Sequence, residues 1–514
     1  MSQVQDTRTN GRAMAALLKF INFVERVGNM LPHPFWLFWV MAILLGIVSW
    51  SLAGTTVEIP NSDKDVTVQN LFSFDGLNFA VTSAFDNFAG FPPLAIVLVV
   101  LLGVSVAEKS GILEALLRLT IVRLPKRWVT FAIAFSGMIA HIMGDAAYLV
   151  MIPLGALAFR AAGRHPMLGV MVSYVSVSAG FNASPLITPS DAIRSSLASA
   201  AAQTIAPEAS ITPAATYFFS ASSSLVLALI ITLVVELVLS KREDFRIVPG
   251  DVLDLDGPQS IYIEKHETRA LITALVSAVV FVAIVILLLF VPNSPFIEPG
   301  QQLVQSVVFS EIGVFISLLF TLIGSVYGFK TGKYKSFGDI PRAMIAGVAA
   351  IAPVLVLFFA VSQFLAYFTW TGLGSVLTVN GAALLQDLQA PHFLVLLIII
   401  LAIAFTNMIV TSGSAMWAIF APILVPMMMY YGIRPEAAMV SFMIGDSVTN
   451  AITPMSAYFV LALGYVQKYK RDAGIGTLMA FTLPVSVSIL IGWTAFYGLW
   501  YALGLPLGPG VPLR

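Results

Sequence analysis

The 514-residue chain contains no cysteine. Disulfides, thiolate metal centres and a cysteine nucleophile are therefore excluded, while nothing about its compartment follows. Charge is scarce as well: 11% of residues are Asp, Glu, Lys or Arg, where soluble domains carry about a quarter. The 27 basic and 27 acidic residues cancel, leaving no basic excess to hold nucleic acid. No GxxxxGK[ST] phosphate loop and no HExxH zinc helix occurs. ATP-driven transport within this chain and zinc-dependent hydrolysis thus have no sequence support. What is present is apolar: 58% of residues are hydrophobic and the mean hydropathy is +0.90. That is the composition of an all-α polytopic membrane protein.

Runs long enough to cross a bilayer lie near 35–53, 92–108, 214–240, 269–291, 309–329, 343–371 and 474–503. No small-residue cleavage site follows the first, which reads as a retained span. Regions 166–204 and 435–466 are long enough but interrupted, and 128–161 and 391–430 each carry a central polar break. Loop charge sets the topology. Arg8, Arg12, Lys19 and Arg26 place the N-terminus on the cytoplasmic side, and the acidic loop 54–90 suits the outside. Lys109, Arg118, Arg123, Lys126, Arg127, Arg160 and Arg164 return inside, as do Lys241, Arg242, Arg246, Lys330, Lys333, Lys335, Arg342, Lys468, Lys470 and Arg471. About nine spans plus two re-entrant hairpins, 128–161 and 391–430, satisfy every cluster, with the C-terminus outside. Segment 241–268 reads as a cytoplasmic linker between a first half, 1–240, and a second, 269–514.

The two halves repeat one signature about 270 residues apart. FSGMIAHIMGDAAYLVMIPLGA from Phe135 answers FTNMIVTSGSAMWAIFAPILVP from Phe405, and GFNASPLITPSDA from Gly180 answers GDSVTNAITPMSA from Gly445. Ser110–Leu113 and Thr371–Gly374 extend the likeness upstream. The topology runs the copies in opposite directions, so the repeat is inverted, and matched broken helices mark the binding site of a secondary transporter.

Unpaired backbone survives at membrane depth only where protein or a water-filled cavity satisfies it. Four such places are expected: the tips near Met143–Ala146 and Ser412–Ala415, and the breaks Asn182–Pro189 and Asn450–Pro454. Carbonyls, Asn182, Asn450, hydroxyls and a carboxylate form an oxygen set that suits a small cation. Helix N-termini leaving the breaks favour an anionic group. Asp145, Asp446 and Asp191 match Ser414, Ser178 and Ser456 in the opposite copy, so the half-sites share geometry and differ in charge. An intramembrane carboxylate is a functional hypothesis by default. Asp145 and Asp191 also read as helix caps, and Asn182 and Asn450 as loop closures. Trp417 reads as a stacking surface for an aromatic ligand or as packing. His141 reads as a proton relay or as a hydrogen-bonded core residue.

At these residues the sequence resembles the AbgT family of p-aminobenzoyl-glutamate transporters, from VERVGNMLPHPFWLF (Val24–Phe38) to GLPLGPGVP (Gly504–Pro512). SGSAMWAIFAPILVPM at 412–427 and GRHP at 163–166 are its most specific parts. The resemblance implies a dimeric inverted-repeat fold in a bacterial inner membrane. It also implies cation-coupled movement of p-aminobenzoyl-glutamate, or export of sulfonamide-like antimetabolites. The family's functional positions fall on Asp191, Asn407, Ser414, Trp417, Pro435 and Asp446. Members typically carry an arginine three residues before the last of these; here that residue is Met443. A guanidinium pairs a carboxylate bidentately, whereas methionine offers only polarisable packing. Either helix N-termini or Arg194 take over anion recognition, or the ligand is less anionic.

The resulting expectation is a transporter, not an enzyme, with no cofactor and with Na+ or H+ as coupling ion. Asn407, Ser412, Gly413, Ser414, Asp446 and Asn450 line a cation or substrate site at the second hairpin, with Na+ at Asn407, Asp446 and Asn450. Asp145, Asn182 and Asp191 line its counterpart, and Trp417, Pro435 and Met443 contact a small aromatic substrate. Two other classes compete. An intramembrane aspartyl protease using Asp145 and Asp446 lacks the glycine two residues before Gly144, Ile142 standing there. A channel would need a repeated filter ring, which the chain does not show.

Overall fold

A computed structural model of the chain describes residues 34–58, 65–122, 126–242, 245, 264–298, 301, 303–453 and 456–513. Arg8, Arg12, Lys19, Arg26, Arg123, Arg246, Pro454 and most of the linker lie outside the described residues. Helix α1 (Pro34–Ser51) leads into a short antiparallel pair, β1 (Thr56–Glu58) and β2 (Asp65–Thr67), with Thr56 opposite Thr67. Two small helices follow, α2 (Phe74–Thr82) and α3 (Ala84–Ala89), the first capped by Ser73, whose hydroxyl accepts from the Gly76 amide.

From there the order long helix, glycine turn, hairpin, broken helix, long helix occurs twice. In the first half α4 (Pro92–Ser110) turns at Gly111 into α5 (Ile112–Val122). A hairpin of α6 (Val129–Ala140) and α7 (Ala146–Ala161) follows, then α8 (Pro166–Ala179), a break, α9 (Pro189–Ala202) and α10 (Tyr217–Leu237). The second half begins with α11 (Lys265–Phe290), a single turn α12 (Val307–Ser310), α13 (Ile312–Thr331), α14 (Asp339–Ala350) and α15 (Ala352–Trp370). Gly372 then leads to α16 (Leu373–Asp387), the hairpin α17 (His392–Asn407) and α18 (Gly413–Tyr430), and α19 (Pro435–Val448). After a second break come α20 (Ala457–Gln467) and α21 (Ile475–Ala502). Gly111 and Gly372 sit at φ 85° and 73°, where a side chain is strained, so each ends its long helix with the same reversal.

Among the described residues, seven helices are long and apolar enough to cross a membrane. One of these is α18, whose partner α17 has only 16 residues and with which it forms a hairpin. The other six, α1, and the broken pairs α8–α9 and α19–α20 supply the nine spans. Three details differ from the sequence reading. The apolar run 343–371 is two helices meeting at Ile351, because Pro353 has no amide to donate to Ala349. Helices α5 and α16, of 11 and 15 residues, are too short to stand out as spans. The second hairpin turns at 408–412, so Ser412–Ala415 is the start of α18 rather than the bend.

Helix α4 packs on α9, α13 and α14, and α11 lies on α13. Val100, Val104, Ala107, Leu271, Phe320 and Ile323 fill that interface. The rest of the core is built around the hairpins: α7 against α8, and α17 and α18 against α19. Each hairpin also touches the other half. Helix α18 packs on α9, while Tyr148 of α7 stacks on Tyr458 of α20 with ring centroids 4.0 Å apart.

Candidate substrate and cation site

The second tip and the first break converge on one carboxylate. Asp446 is 2% exposed, two residues before the end of α19. Its Oδ2 accepts from Asn182 Nδ2 at 2.8 Å, and its Oδ1 has no hydrogen-bond partner. Gly413, the first residue of α18, lies so close that a Cβ there would stand 2.8 Å from Oδ1. Only glycine lets the N-terminus of α18, with its partial positive charge, approach this carboxylate. Asn407, the last residue of α17, donates from Nδ2 to the Asp446 carbonyl at 2.5 Å, and to Thr449 Oγ1 and Asn450 Oδ1 at 2.9 Å each. Its own Oδ1 is buried without a donor. Two unpartnered side-chain oxygens, one charged, thus flank the junction of tip and helix. Among the described residues no three His, Asp or Glu side chains converge. A cation held here would therefore meet one carboxylate and neutral oxygens, a set fitting Na+ or H+.

The first break reaches into the same place. Asn182 receives Arg194 Nη1 on its Oδ1, donates from Nδ2 to the Met443 carbonyl at 3.1 Å, and gives its backbone amide to Ser447 Oγ at 3.1 Å. Its amide orientation is fixed, since only the NH2 group can serve a carbonyl and a carboxylate. Asp191 closes the capping box of α9: its Oδ2 accepts from the Thr188 amide and hydroxyl, each at 2.7 Å. Its Oδ1 takes Arg194 Nη2 at 2.6 Å. Trp417 is fully buried, its indole N–H bonded to the Arg194 carbonyl at 2.9 Å and its ring on Phe442 at 4.6 Å. In this conformation its hydrogen-bonding group and one face are occupied by protein.

The other expected residues divide. Ser414 follows Gly413 in the first turn of α18, and Ser412 is its N-cap, accepting from the Ala415 amide. Asn450 is half-buried, bonded to Asn407 and, through its carbonyl, to the Tyr174 hydroxyl at 3.4 Å. Met443 is buried and contributes its carbonyl. Asp145 is exposed at the first tip, makes no cap bond, and meets the Tyr458 hydroxyl. Pro435 opens α19, eleven residues from Asp446, or about 16 Å along the axis. His141 is buried edge-on to Phe181, with centroids 5.6 Å apart. The sequence offers Arg194 only as a substitute for the missing arginine at Met443; its place at the centre of the network has no local signal. Thr188 and Ser447 complete the network without a functional signal of their own in the sequence, although the Thr-Pro-x-Asp order at 188–191 is a capping-box signal.

The sequence profile described as the "AbgT putative transporter family" matches residues 19–514. The chain belongs to the AbgT family. It is 32% identical over 496 residues to the p-aminobenzoyl-glutamate transport protein of Escherichia coli K12, covering 96% of each chain. The YdaH transporter of Alcanivorax borkumensis superposes with a TM-score of 0.86 at 35% identity, over 93% of this chain and all of that one. MtrF of Neisseria gonorrhoeae, described as illuminating a class of antimetabolite efflux pumps, gives 0.87 at 38%, over 96% of this chain and all of that one. This AbgT member is therefore a multi-pass membrane transporter of small molecules. In it, the guanidinium joined to Asp446 through Asn182 is that of Arg194, on α9.

Proposed function

We propose that the chain carries p-aminobenzoyl-glutamate or related aromatic folate catabolites across a bacterial inner membrane, coupled to Na+ or H+. Asp446 and Asn407 hold the cation, with Asn450 completing the site through its bond to Asn407. The observation that carries this reading is the pair of buried, donor-free oxygens, Asp446 Oδ1 and Asn407 Oδ1, at the tip of the second hairpin. A buried carboxylate oxygen without a donor is costly unless a proton or metal ion satisfies it. The substrate lies beside it, where Ser412, Gly413 and Ser414 present the N-terminal amides of α18 to an anionic group. Asp191, Trp417 and Met443 shape that wall, Pro435 sets the start of α19, Asn182 ties the first break to Asp446, and Asp145 serves the pseudo-symmetric half. We further infer that residues 1–240 and 269–514 are inverted halves, with the N-terminus cytoplasmic and the C-terminus outside, and that the unit is a homodimer.

Uptake of labelled p-aminobenzoyl-glutamate into proteoliposomes under imposed sodium or proton gradients tests this. Gradient-driven uptake in the native protein should fall to background in Asp446→Asn. Uptake that still responds to the gradient in that variant would remove Asp446 from coupling. A second reading, export of sulfonamide-type antimetabolites, draws support from the likeness to MtrF and from the uncharged Met443. It predicts gradient-driven sulfonamide movement in everted vesicles, and a gain of p-aminobenzoyl-glutamate uptake only in Met443→Arg.

A further inference from the structure

Two carboxylates and one guanidinium share the buried network, and they are unequally satisfied. Asp191 is saturated by Thr188 and Arg194. Asp446 has one oxygen bonded and one without a donor. Arg194 is 4% exposed; it spends Nη1 on Asn182 and Nη2 on Asp191, and its Nε–H is buried with no acceptor. One unpartnered donor and one unpartnered anionic acceptor are thus joined through a single residue, Asn182. Among the described residues, titratable groups around this space include Asp191 on α9, His141 against Phe181, Tyr148 on α7, and Tyr174 on α8, whose hydroxyl donates to the Asn450 carbonyl.

We propose that Arg194 is a tethered counter-cation for Asp446, one that competes with the coupling ion for the same carboxylate. This rests on the reading of Asp446 as the cation's ligand. A buried carboxylate left alone binds any cation tightly and releases it slowly; a fixed positive charge nearby raises the free energy of the ion-bound form. Arg194 therefore weakens cation binding and speeds release. It does so without leaving the ion-free site with an unbalanced anion, which at membrane depth would be expensive. Asn182 transmits the effect, since its amide holds the guanidinium on one side and the carboxylate on the other.

The test measures the cation dependence of uptake in proteoliposomes, and separately the stabilisation of the purified protein by sodium or by acid without substrate. The double variant Asp191→Asn/Arg194→Gln removes the buried pair together, so that Asp191 is not left as an orphan charge and only the balance at Asp446 changes. In it the half-saturating sodium concentration should fall about tenfold, or the pH of half-maximal uptake rise by about one unit. Maximal uptake should fall too, as release slows. Arg194→Lys, which keeps the charge and loses the fork, should hold the cation dependence near that of the native protein. A double variant that folds with an unchanged or weaker cation dependence overturns the proposal, as does a lysine variant that shifts as the glutamine one does. Should the double variant not fold, the lysine variant and Asn182→Asp decide. A carboxylate in place of Asn182 must tighten cation binding, and unchanged binding refutes the idea. If Asp446→Asn itself keeps its gradient response, the underlying reading fails first and on different data.

Discussion

At the scale of single residues, the site works by what is left unsatisfied as much as by what is bonded. Trp417 illustrates how a residue type can mislead. Its ring chemistry suggests a ligand platform, yet its N–H closes on the Arg194 carbonyl and joins hairpin to broken helix. Trp417→Phe retains an aromatic face and deletes that bond, while the Arg194 carbonyl keeps its donor within helix α9. The expected loss is about 0.5–1.5 kcal/mol of stability, seen as a lower denaturation midpoint in detergent, with transport reduced although the aromatic ring persists. Undiminished transport and stability would show that the indole N–H holds nothing. Asp446 and Asn182 were legible beforehand because polar residues in apolar segments carry a cost that sequence alone reveals. Their bond to each other was not legible. They stand 264 residues apart, and no local pattern encodes which polar residue meets which.

At the scale of elements, punctuation was the readable part. Glycines, prolines and asparagines inside apolar runs located both hairpins and both breaks, since each of those residues has a specific backbone consequence. Where hydropathy overrode punctuation the reading slipped: Pro353 sits inside an uninterrupted apolar run, so two helices looked like one span. Helix α16 does not stand out for a different reason, its 15 residues being too short for a span. The second tip was placed a few residues late, since Ser412 and Gly413 signal a turn and a helix start equally well. Gly413→Ala tests the element directly. Its added methyl would stand 2.8 Å from Asp446 Oδ1, forcing α18 away from α19. Alanine is otherwise the better helix former, by about 1 kcal/mol. Thermal stability is therefore expected to hold while cation-driven uptake drops steeply; equal uptake would mean that the close approach has no role.

At the scale of the whole molecule, the two halves are interlocked rather than merely adjacent. Asn182 of the first bonds to Met443, Asp446 and Ser447 of the second, and Trp417 of the second bonds back to Arg194. The Tyr148–Tyr458 stack does the same for the first hairpin. Split within the linker, neither half alone is expected to transport, whereas co-expressed halves should recover uptake and co-purify. Activity in a single half would show that one repeat holds a complete site. The absence of cysteine gives a clean background for placing reporter thiols on each half to follow this association. The Tyr148–Tyr458 stack also imposes a timetable on synthesis. The first hairpin leaves the ribosome about 300 residues before its partner ring exists; at about 5–20 residues per second, that is an interval of about 15–60 s. Throughout it a short, polar-tipped hairpin stands in the bilayer without its final neighbour. Its packing on α8 is available at once, so the ring stack is a late contact, one that closes only after residue 458 has been added.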